Sequence, residues 1–278
     1  MLLELLKIFG YRNSLRSAVT RRLVRKLSFI PYPLRLAIDA VDRPHYGYCV
    51  FNAARLAKRL GLRNVSVVEF GVAGGNGLVN LESHAIEAKK YLGIDVEVYG
   101  FDSGSGLPEP VDYRDLPYFW RQGFYKMDKA KLLARLRFAK VLLGRISETL
   151  PTFFDEYEPA PVGAIFIDLD YYSSTKEAFE IFKIGRRKIL PRIYMYFDDI
   201  IFPEDALYSS FTGERLAISE FNCAYEEQKI SEAFYLRNDH AYYGAWRNQI
   251  YIYHDFTHVD YGRFVNSDGA GPNSLALG

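Results

Sequence analysis

The stretch that most constrains the fold is residues 65–79, VSVVEFGVAGGNGLV, where a short apolar run ends in Glu69 and four glycines follow closely. The run is rich in valine, which is typical of a buried central strand. The glycines can adopt positive φ and expose backbone N–H groups. They are Gly71, Gly74, Gly75 and Gly77. Apolar residues at helical spacing follow over 78–91, so the unit predicts a strand, a glycine loop and a helix. This arrangement favours a nucleotide-type cofactor site, and a purely structural turn is the alternative.

A second predicted strand, residues 96–102, ends in Asp102, where a carboxylate can accept hydrogen bonds from a ribose diol. Asp102 lies 31 residues after Gly71. A dinucleotide-binding unit has its acid after about 20 residues. The glycines also have the spacing GxxGGxG instead of GxGxxG. Both differences indicate a cofactor without a pyrophosphate.

Size and charge exclude several classes of protein. With 278 residues, 49% of them apolar, the chain can form one large domain with appendages. A net charge of +1 offers no overall field for wrapping nucleic acid, so no nucleic-acid partner is expected. Cys49 and Cys223 lie far apart, which indicates neither a disulfide framework nor a zinc site and predicts a cytoplasmic location. No apolar run approaches the roughly 20 residues of a membrane span.

The beginning of the chain is strongly basic, with eight lysines and arginines and only Glu4 as an acid before residue 36. The apolar positions recur every four residues and predict an amphipathic basic helix. These positions are Leu15, Val19, Leu23 and Leu27. We favour a lid or dimer-contact helix whose basic face is solvated. The alternatives are an acidic partner or peripheral contact with an anionic inner membrane surface.

The remaining elements follow in alternation. A second helix is predicted over Tyr48–Leu60, and residues 112–128 are predicted to form a lid over an acceptor site, with a packed crossover as the alternative. The predicted domain limits are 1–61 for a helical extension, 62–265 for the main domain and 266–278 for a flexible tail. Further strands are predicted at 140–143, 162–167 and 192–197, and an antiparallel pair at 232–237 and 249–254. The pattern predicts an α/β fold with a mostly parallel sheet and helices on both faces.

Carboxylates follow the fourth and fifth predicted strands. They are Asp168, Asp170, Asp198 and Asp199. The carboxyl ends of parallel strands meet at one edge of the sheet, so these acids would repel one another unless a cation lay among them. Oxygen ligands without nearby Cys or His favour a hard divalent ion, Mg²⁺ before Ca²⁺ or Mn²⁺. Asp170 is the one most suited to a structural role, because Ser173, Ser174 and Thr175 follow it and can cap the next helix.

Together these motifs resemble those of the class I S-adenosylmethionine-dependent methyltransferases, and more narrowly the metal-dependent macrocin O-methyltransferase family. The resemblance covers roughly residues 65–200. The matching residues are Glu69-Phe70-Gly71-Val72 with Gly75, Asp102-Ser103 with Gly106-Leu107-Pro108, Glu148-Thr149-Leu150-Pro151, Asp168 with Asp170, Tyr172, Ser174 and Thr175, and Asp198-Asp199. Two residues depart from the family pattern, since Asn76 and Leu169 each stand where the family has glycine.

The resemblance implies a Rossmann-like methyltransferase fold, with a seven-stranded, mostly parallel sheet and an antiparallel C-terminal strand. It implies that the glycine loop, with Glu69, Gly71, Val72 and Gly75, holds the methionine part of S-adenosylmethionine. By the same resemblance Asp102 and Ser103 contact the ribose, and Ile146 and Ser147 border the adenine. Asp168, Asp198 and Asp199 would hold Mg²⁺. The implied acceptor is a hydroxyl of a sugar, a glycan or a glycosylated metabolite, and a catechol-like phenol is the alternative.

Methyl transfer requires an oxygen aligned behind the sulfonium methyl group and a base for its proton. Asp168 is the candidate for a shared role as metal ligand, cofactor contact and base. Four histidines are alternative bases: His45, His240, His254 and His258. Two rival functions stay open: a GT-A-type glycosyltransferase that uses Asp168-Leu169-Asp170 as a DxD motif, and a non-catalytic protein that keeps the fold for binding.

Overall fold

The structure, a computed structural model, describes three ranges of the chain: 15–27, 29–237 and 244–265. Several residues of the sequence predictions lie outside the described residues: Lys7, Arg12, His240 and the tail at 266–278. Within these ranges, no helix is long and apolar enough to cross a membrane.

A single seven-stranded sheet forms the centre of the molecule, in the strand order β3-β2-β1-β4-β5-β7-β6. Its strands are β1 Asn64–Phe70, β2 Asp95–Asp102, β3 Lys140–Leu143, β4 Val162–Ile167, β5 Ile189–Phe197, β6 Gln228–Glu232 and β7 Ile250–Asp255. The strands β1 to β5 pair in parallel, and β7 runs antiparallel to both of its neighbours, β5 and β6. The predicted fold, a Rossmann-like class I methyltransferase sheet with an antiparallel C-terminal strand, is confirmed.

Helices cover the sheet. They are α1 Leu15–Lys26, α2 Tyr32–Ala37, α3 Pro44–Arg59, α4 Asn76–Leu92, α5 Lys129–Arg135, α6 Ile146–Tyr157, α7 Tyr172–Phe179, α8 Ile181–Ile184, α9 Gly213–Ala224 and α10 Phe234–Arg237. Every residue of β4 is buried, which requires cover on both faces of the sheet. The predicted second helix begins four residues earlier than expected, at Pro44, because proline is well suited to the first helical turn.

The helix α3 packs into the main core beside β1, β4 and β5. Its buried side chains include Tyr46, Cys49 and Val50, which share one apolar cluster with the sheet. The predicted helical extension thus shares its core with the predicted main domain. The domain limit at residue 61 stays a prediction.

The register of the sheet places the site. Phe101, Phe70, Ile167 and Phe197 pair successively across β2, β1, β4 and β5 and so lie in one row. The residues that follow them therefore emerge side by side at the carboxyl edge. They are Asp102, Gly71, Asp168 and Asp198. This edge is where open parallel sheets bind ligands.

The predicted antiparallel pairing of two C-terminal strands is confirmed, but the predicted position of the first strand is wrong. The strand that pairs with β7 is β6, Gln228–Glu232, and the segment Phe234–Arg237, expected to be extended, forms the short helix α10. In β6 only Ile230 is a fully buried apolar residue, so this edge strand has little of the hydrophobic pattern that identifies a strand.

Candidate active site

The glycine loop fits closely between the ends of β1 and β4. A Cβ atom on Gly71 would lie 1.8 Å from the carbonyl oxygen of Asp168, and Gly71 has a φ of 87°. A Cβ atom on Gly77 would lie 1.9 Å from Oε1 of Glu69. Both positions therefore require glycine, because any larger residue would displace the strand end or the acid beneath the loop.

Asp102 organises the same loop through its carboxylate. Its Oδ2 accepts hydrogen bonds from the backbone N–H groups of Val72 and Ala73, both at 2.8 Å, and its Oδ1 accepts one from Gly104 at 2.6 Å. A carboxylate has about four lone-pair sites, so one stays free for a ligand hydroxyl. Ser103 follows, and its hydroxyl donates to the carbonyl oxygen of Gly106 at 3.0 Å. Asp102 thus positions the loop, and its contact with a ribose stays a prediction.

Glu69 lies beneath the loop and is 1% exposed. The hydroxyl of Tyr46 donates to its Oε1 at 2.7 Å, while Oε2 has no partner among the described residues. Burial raises the pKa of Glu69 to about 8, although the Tyr46 hydroxyl and the Arg43 guanidinium act in the opposite direction. An unpaired buried carboxylate oxygen in a cavity wall suits a ligand that carries a positive charge, such as the ammonium group of a methionine moiety.

Three carboxylates meet at the ends of β4 and β5. Oxygen atoms of Asp168, Asp198 and Asp199 all lie within 4.8 Å of one another. Burial raises the pKa of Asp168 well above its usual range, and the charges of Asp198 and Asp199 raise it further. The donor set consists of carboxylate oxygens alone, which fits a hard divalent cation such as Mg²⁺. The residues fit the predicted metal, and its binding is taken up below as a proposal.

The neighbours of Asp199 fix its orientation. Its Oδ2 accepts a hydrogen bond from the backbone N–H of Asp170 at 2.9 Å, and its Oδ1 accepts one from the hydroxyl of Tyr208 at 3.0 Å. The backbone N–H of Asp199 donates to Oε2 of Glu214 at 3.2 Å. Glu214 is fully buried in the first turn of α9 and was missed by the sequence interpretation. No motif marks it, because it reaches Asp199 only through the packing of α9.

The helix that follows the β4 acids is capped differently from the prediction. Ser173, Ser174 and Thr175 lie inside α7 and do not cap it. Oδ1 of Asp115 accepts a hydrogen bond from the Ser173 backbone N–H, and Oδ2 accepts one from the Ser173 hydroxyl, both at 2.8 Å. Oδ2 also accepts one from the backbone N–H of Val111. Asp115 is fully buried. The predicted lid segment is therefore tied to the N-terminus of α7.

The lid segment has a small core of its own. Leu116 and Trp120 pack with Tyr171, which directly precedes α7. At the base of the segment, the backbone N–H of Leu107 donates to the carbonyl oxygen of Phe124 at 2.8 Å. Tyr125 lines the same cavity as the acids, and its pKa is raised to about 12 by burial and then by Asp170 and the three clustered carboxylates. The segment thus forms a packed wall beside the carboxylates.

One cavity of about 1360 Å³ connects the glycine loop with the carboxylates. Among its lining residues are most of the predicted site residues: Glu69, Gly71, Val72, Asp102, Ser103, Ile146, Asp168, Asp198 and Asp199. Gly75 and Ser147 lie outside the lining. Gly75 caps α4 with a φ of 76°, and the Ser147 backbone N–H donates to Glu177 at 3.3 Å. Trp120, Gln122, Tyr125 and Lys126 of the lid segment complete the wall.

Arg43 is a further lining residue that the sequence interpretation missed. It precedes α3 in the left-handed region, at a φ of 39°. Burial lowers the pKa of Arg43, but the surrounding Tyr46, Glu69 and Asp168 outweigh this effect and raise it. Arg43 therefore supplies positive charge to a cavity that is otherwise rich in carboxylates.

The histidines proposed as alternative bases do not line the cavity in the described part of the chain. His45 stacks on Tyr196 with ring centroids 4.5 Å apart, and burial lowers its pKa to about 3. His254 pairs with Arg192 near the start of β5, at the opposite edge of the sheet, and His258 follows just beyond. A base must reach the proton directly or through one water, which disfavours these two histidines and leaves the base a prediction.

Comparison with known proteins gives matches in structure only. No family model matches the chain, and no curated protein matches its sequence. Solved structures do match. Calicheamicin methyltransferase CalS11 has 20% identity over 77% of this chain and 87% of that chain, with a TM-score of 0.47. An O-methyltransferase from Bacillus cereus in complex with SAH has 15% identity over 73% of this chain and 78% of that chain, with a TM-score of 0.38. The MycE methyltransferase of the mycinamycin pathway, in complex with Mg and SAH, has 14% identity over 76% of this chain and 48% of that chain, with a TM-score of 0.35.

Proposed function

We propose that the chain is an O-methyltransferase that transfers a methyl group from S-adenosylmethionine to a hydroxyl of a sugar, a glycan or a glycosylated metabolite, with the help of bound Mg²⁺. One observation carries this proposal. A single cavity holds a glycine loop with an unpaired buried glutamate at one end and three clustered carboxylates at the other. A methyl donor and a metal-held acceptor need these two halves side by side.

The donor half of the cavity would bind S-adenosylmethionine through the charge of Glu69 and through the backbone N–H groups of the glycine loop. Glu69 would face the ammonium group of the donor, and Asp102, which keeps the loop N–H groups in place, would accept a hydrogen bond from a ribose hydroxyl with its free lone pair. Ile146, at the start of α6, supplies apolar surface to the cavity for the adenine ring. Orientation is the main contribution here, because the sulfonium methyl group is already activated and needs an oxygen in line behind it.

The acceptor half orients a hydroxyl and removes its proton. Asp168, Asp198 and Asp199 would hold Mg²⁺, which supplies Lewis-acid chemistry that lowers the pKa of a hydroxyl bound to it. Asp168 lies next to Gly71 and therefore borders both halves, so it is the carboxylate best placed to take the acceptor proton. Trp120 and Tyr125 offer aromatic surface, and Gln122 and Lys126 offer hydrogen-bond donors, a combination that suits a hydroxylated ring.

Calorimetry with S-adenosylhomocysteine tests the donor half. The chain should bind this product, and Asp102→Ala should weaken binding by tenfold or more, because charged hydrogen bonds contribute about 1.5–3 kcal/mol. Asp95→Ala is the matched control, since Asp95 stands exposed at the other end of the same strand. A nucleotide sugar should not displace S-adenosylhomocysteine. Tight nucleotide-sugar binding without any response to S-adenosylhomocysteine would instead support the glycosyltransferase alternative.

Metal removal tests the acceptor half. Methyl transfer to a panel of glycosides should stop in EDTA and recover with Mg²⁺. Asp199→Ala should stay inactive with Mg²⁺ present, whereas Asp205→Ala, at an exposed aspartate in the loop after β5, should behave as the wild type. Full activity in EDTA would remove the metal from the mechanism and leave the donor half of the proposal intact.

A further inference from the structure

The helix α1 contacts the domain through the side that carries Val24 and Arg25. Val24 is 6% exposed and packs in a small apolar cluster with Ile38 and Ala40. Arg25 forms an ion pair with Asp42. These contacts fix the side of α1 that faces the domain, and among the described ranges 15–27, 29–237 and 244–265 the other side is exposed.

The uncovered side carries an apolar stripe, which we call the outer stripe: Val19, Leu23 and Leu27. The exposed fractions of these side chains are 56%, 60% and 38%. Residues four apart lie on one side of a helix, so Val19 and Leu23 are neighbours on α1. Leu27 directly follows the last residue of α1. Phe29, two residues further on, is 78% exposed. A surface helix normally packs its apolar stripe against the core, whereas here the stripe points away from it.

Positive charges accompany the outer stripe. Arg22 and Lys26 are exposed and lie one turn apart, each directly before a leucine of the stripe. The segment Leu15–Lys26 contains no acidic residue. The whole chain has a net charge of only +1, so this concentration of charge is local.

The charges decide between two occupants of the outer stripe. A second copy of α1 would bring the basic side chains of both helices together and would be opposed by their repulsion. An anionic lipid surface offers phosphate groups to Arg22 and Lys26 and an apolar layer to the stripe. The lipid surface is therefore the occupant whose charge and polarity match this side of α1.

We propose that α1 lies in the headgroup region of an anionic membrane, with Val19, Leu23 and Leu27 inserted and with Arg22 and Lys26 on the lipid phosphates. Asp42, the ion-pair partner of α1, directly precedes Arg43 of the cavity wall. Attachment of α1 to lipid thus links the membrane surface to that wall. This inference goes beyond the proposed function and does not depend on it.

Co-sedimentation of the full chain with lipid vesicles tests the proposal without an enzymatic assay. The chain should bind vesicles that contain about one-third phosphatidylglycerol, fail to bind pure phosphatidylcholine, and bind less as salt is raised. Leu23→Glu should abolish binding. Leu133→Glu, at a leucine of α5 that is 50% exposed, should leave binding unchanged.

The basic residues are tested separately. Arg22→Gln with Lys26→Gln should weaken binding by about 30-fold, which corresponds to about 1 kcal/mol for each charge near an anionic surface. Arg187→Gln with Lys188→Gln removes the same two residue types from an exposed turn and is the control. Circular dichroism and melting temperature confirm that each variant is folded.

Three outcomes would overturn the proposal. The first is a wild-type chain that does not bind anionic vesicles. The second is a Leu23→Glu variant that binds them as well as the wild type. The third is a wild-type dimer in light scattering that becomes monomeric with Leu23→Glu while lipid binding is absent, since the outer stripe would then be an interface between copies of the chain.

Discussion

Replacing Glu69 by glutamine tests how the donor half of the cavity recognises a positive charge. A carboxyl group with a pKa of about 8 is protonated in about nine-tenths of the molecules at pH 7. A ligand with an ammonium group favours the ionised carboxylate, so binding must release that proton. The apparent affinity for S-adenosylhomocysteine should therefore rise about ninefold from pH 6 to 7, about fivefold from pH 7 to 8, and then level off.

Calorimetry measures this released proton directly. When titrations at pH 7 are repeated in buffers of different ionisation enthalpy, the slope of observed enthalpy against buffer enthalpy gives the number of protons exchanged. The wild type should release about 0.9 proton, and Glu69→Gln close to none, with binding at pH 8 weakened by tenfold or more. Glu156→Gln, at an exposed glutamate of α6, should match the wild type. An equal slope in Glu69→Gln and wild type would refute the role given to Glu69.

Three further perturbations act on other parts of the structure. Gly71→Ala should abolish S-adenosylhomocysteine binding and lower the urea midpoint, because the new Cβ would lie 1.8 Å from the carbonyl oxygen of Asp168. Gly74→Ala is the control and should keep the stability of the wild type, because no atom lies within 4 Å of a Cβ at that position. Asp115→Ala leaves three donors without their acceptor, at about 1–3 kcal/mol each, and should speed amide exchange in the lid segment while S-adenosylhomocysteine binding holds. Burial lowers the pKa of His84 to about 4, against about 6.5 when unfolded, so the contribution of His84 to the free energy of unfolding should fall by about 1.4 kcal/mol per unit as pH drops between these values. His84→Gln should remove this contribution in urea titrations and leave that of His45 in place.

The central strands could be predicted from sequence because they are buried on both faces and their sequences are therefore continuously apolar. Both β3 and β4 match the predicted limits of 140–143 and 162–167. The strand β4 is buried on both faces, follows Pro161 and ends at Asp168, so its apolar run is bounded by residues that differ sharply from it. The row of acids at the carboxyl edge follows directly from such strands, and the structure brings Asp168, Asp198 and Asp199 together.

The parts that could not be predicted depend on contacts between distant segments. Asp115 caps α7 from 58 positions before Ser173. Glu214 reaches Asp199 only when α9 packs against the sheet. The edge strand β6 has a strand on one side only in the described part of the chain, and its mostly polar sequence lacks the pattern on which strand prediction depends. In each case the information lies in the packing of the chain and not in a local motif.

The contact between Gly71 and Asp168 has a consequence for redesign of the cavity. The donor loop and the first of the clustered carboxylates meet through main-chain atoms, so side-chain exchange elsewhere does not change their spacing. The lid segment, by contrast, contributes Trp120, Gln122 and Tyr125 to the cavity lining, and none of these takes part in that main-chain contact. New acceptors are therefore best sought by varying these three positions. In the proposed methyl transfer, the sheet would set the distance between donor and acceptor, and the lid segment would select the molecule that receives the methyl group.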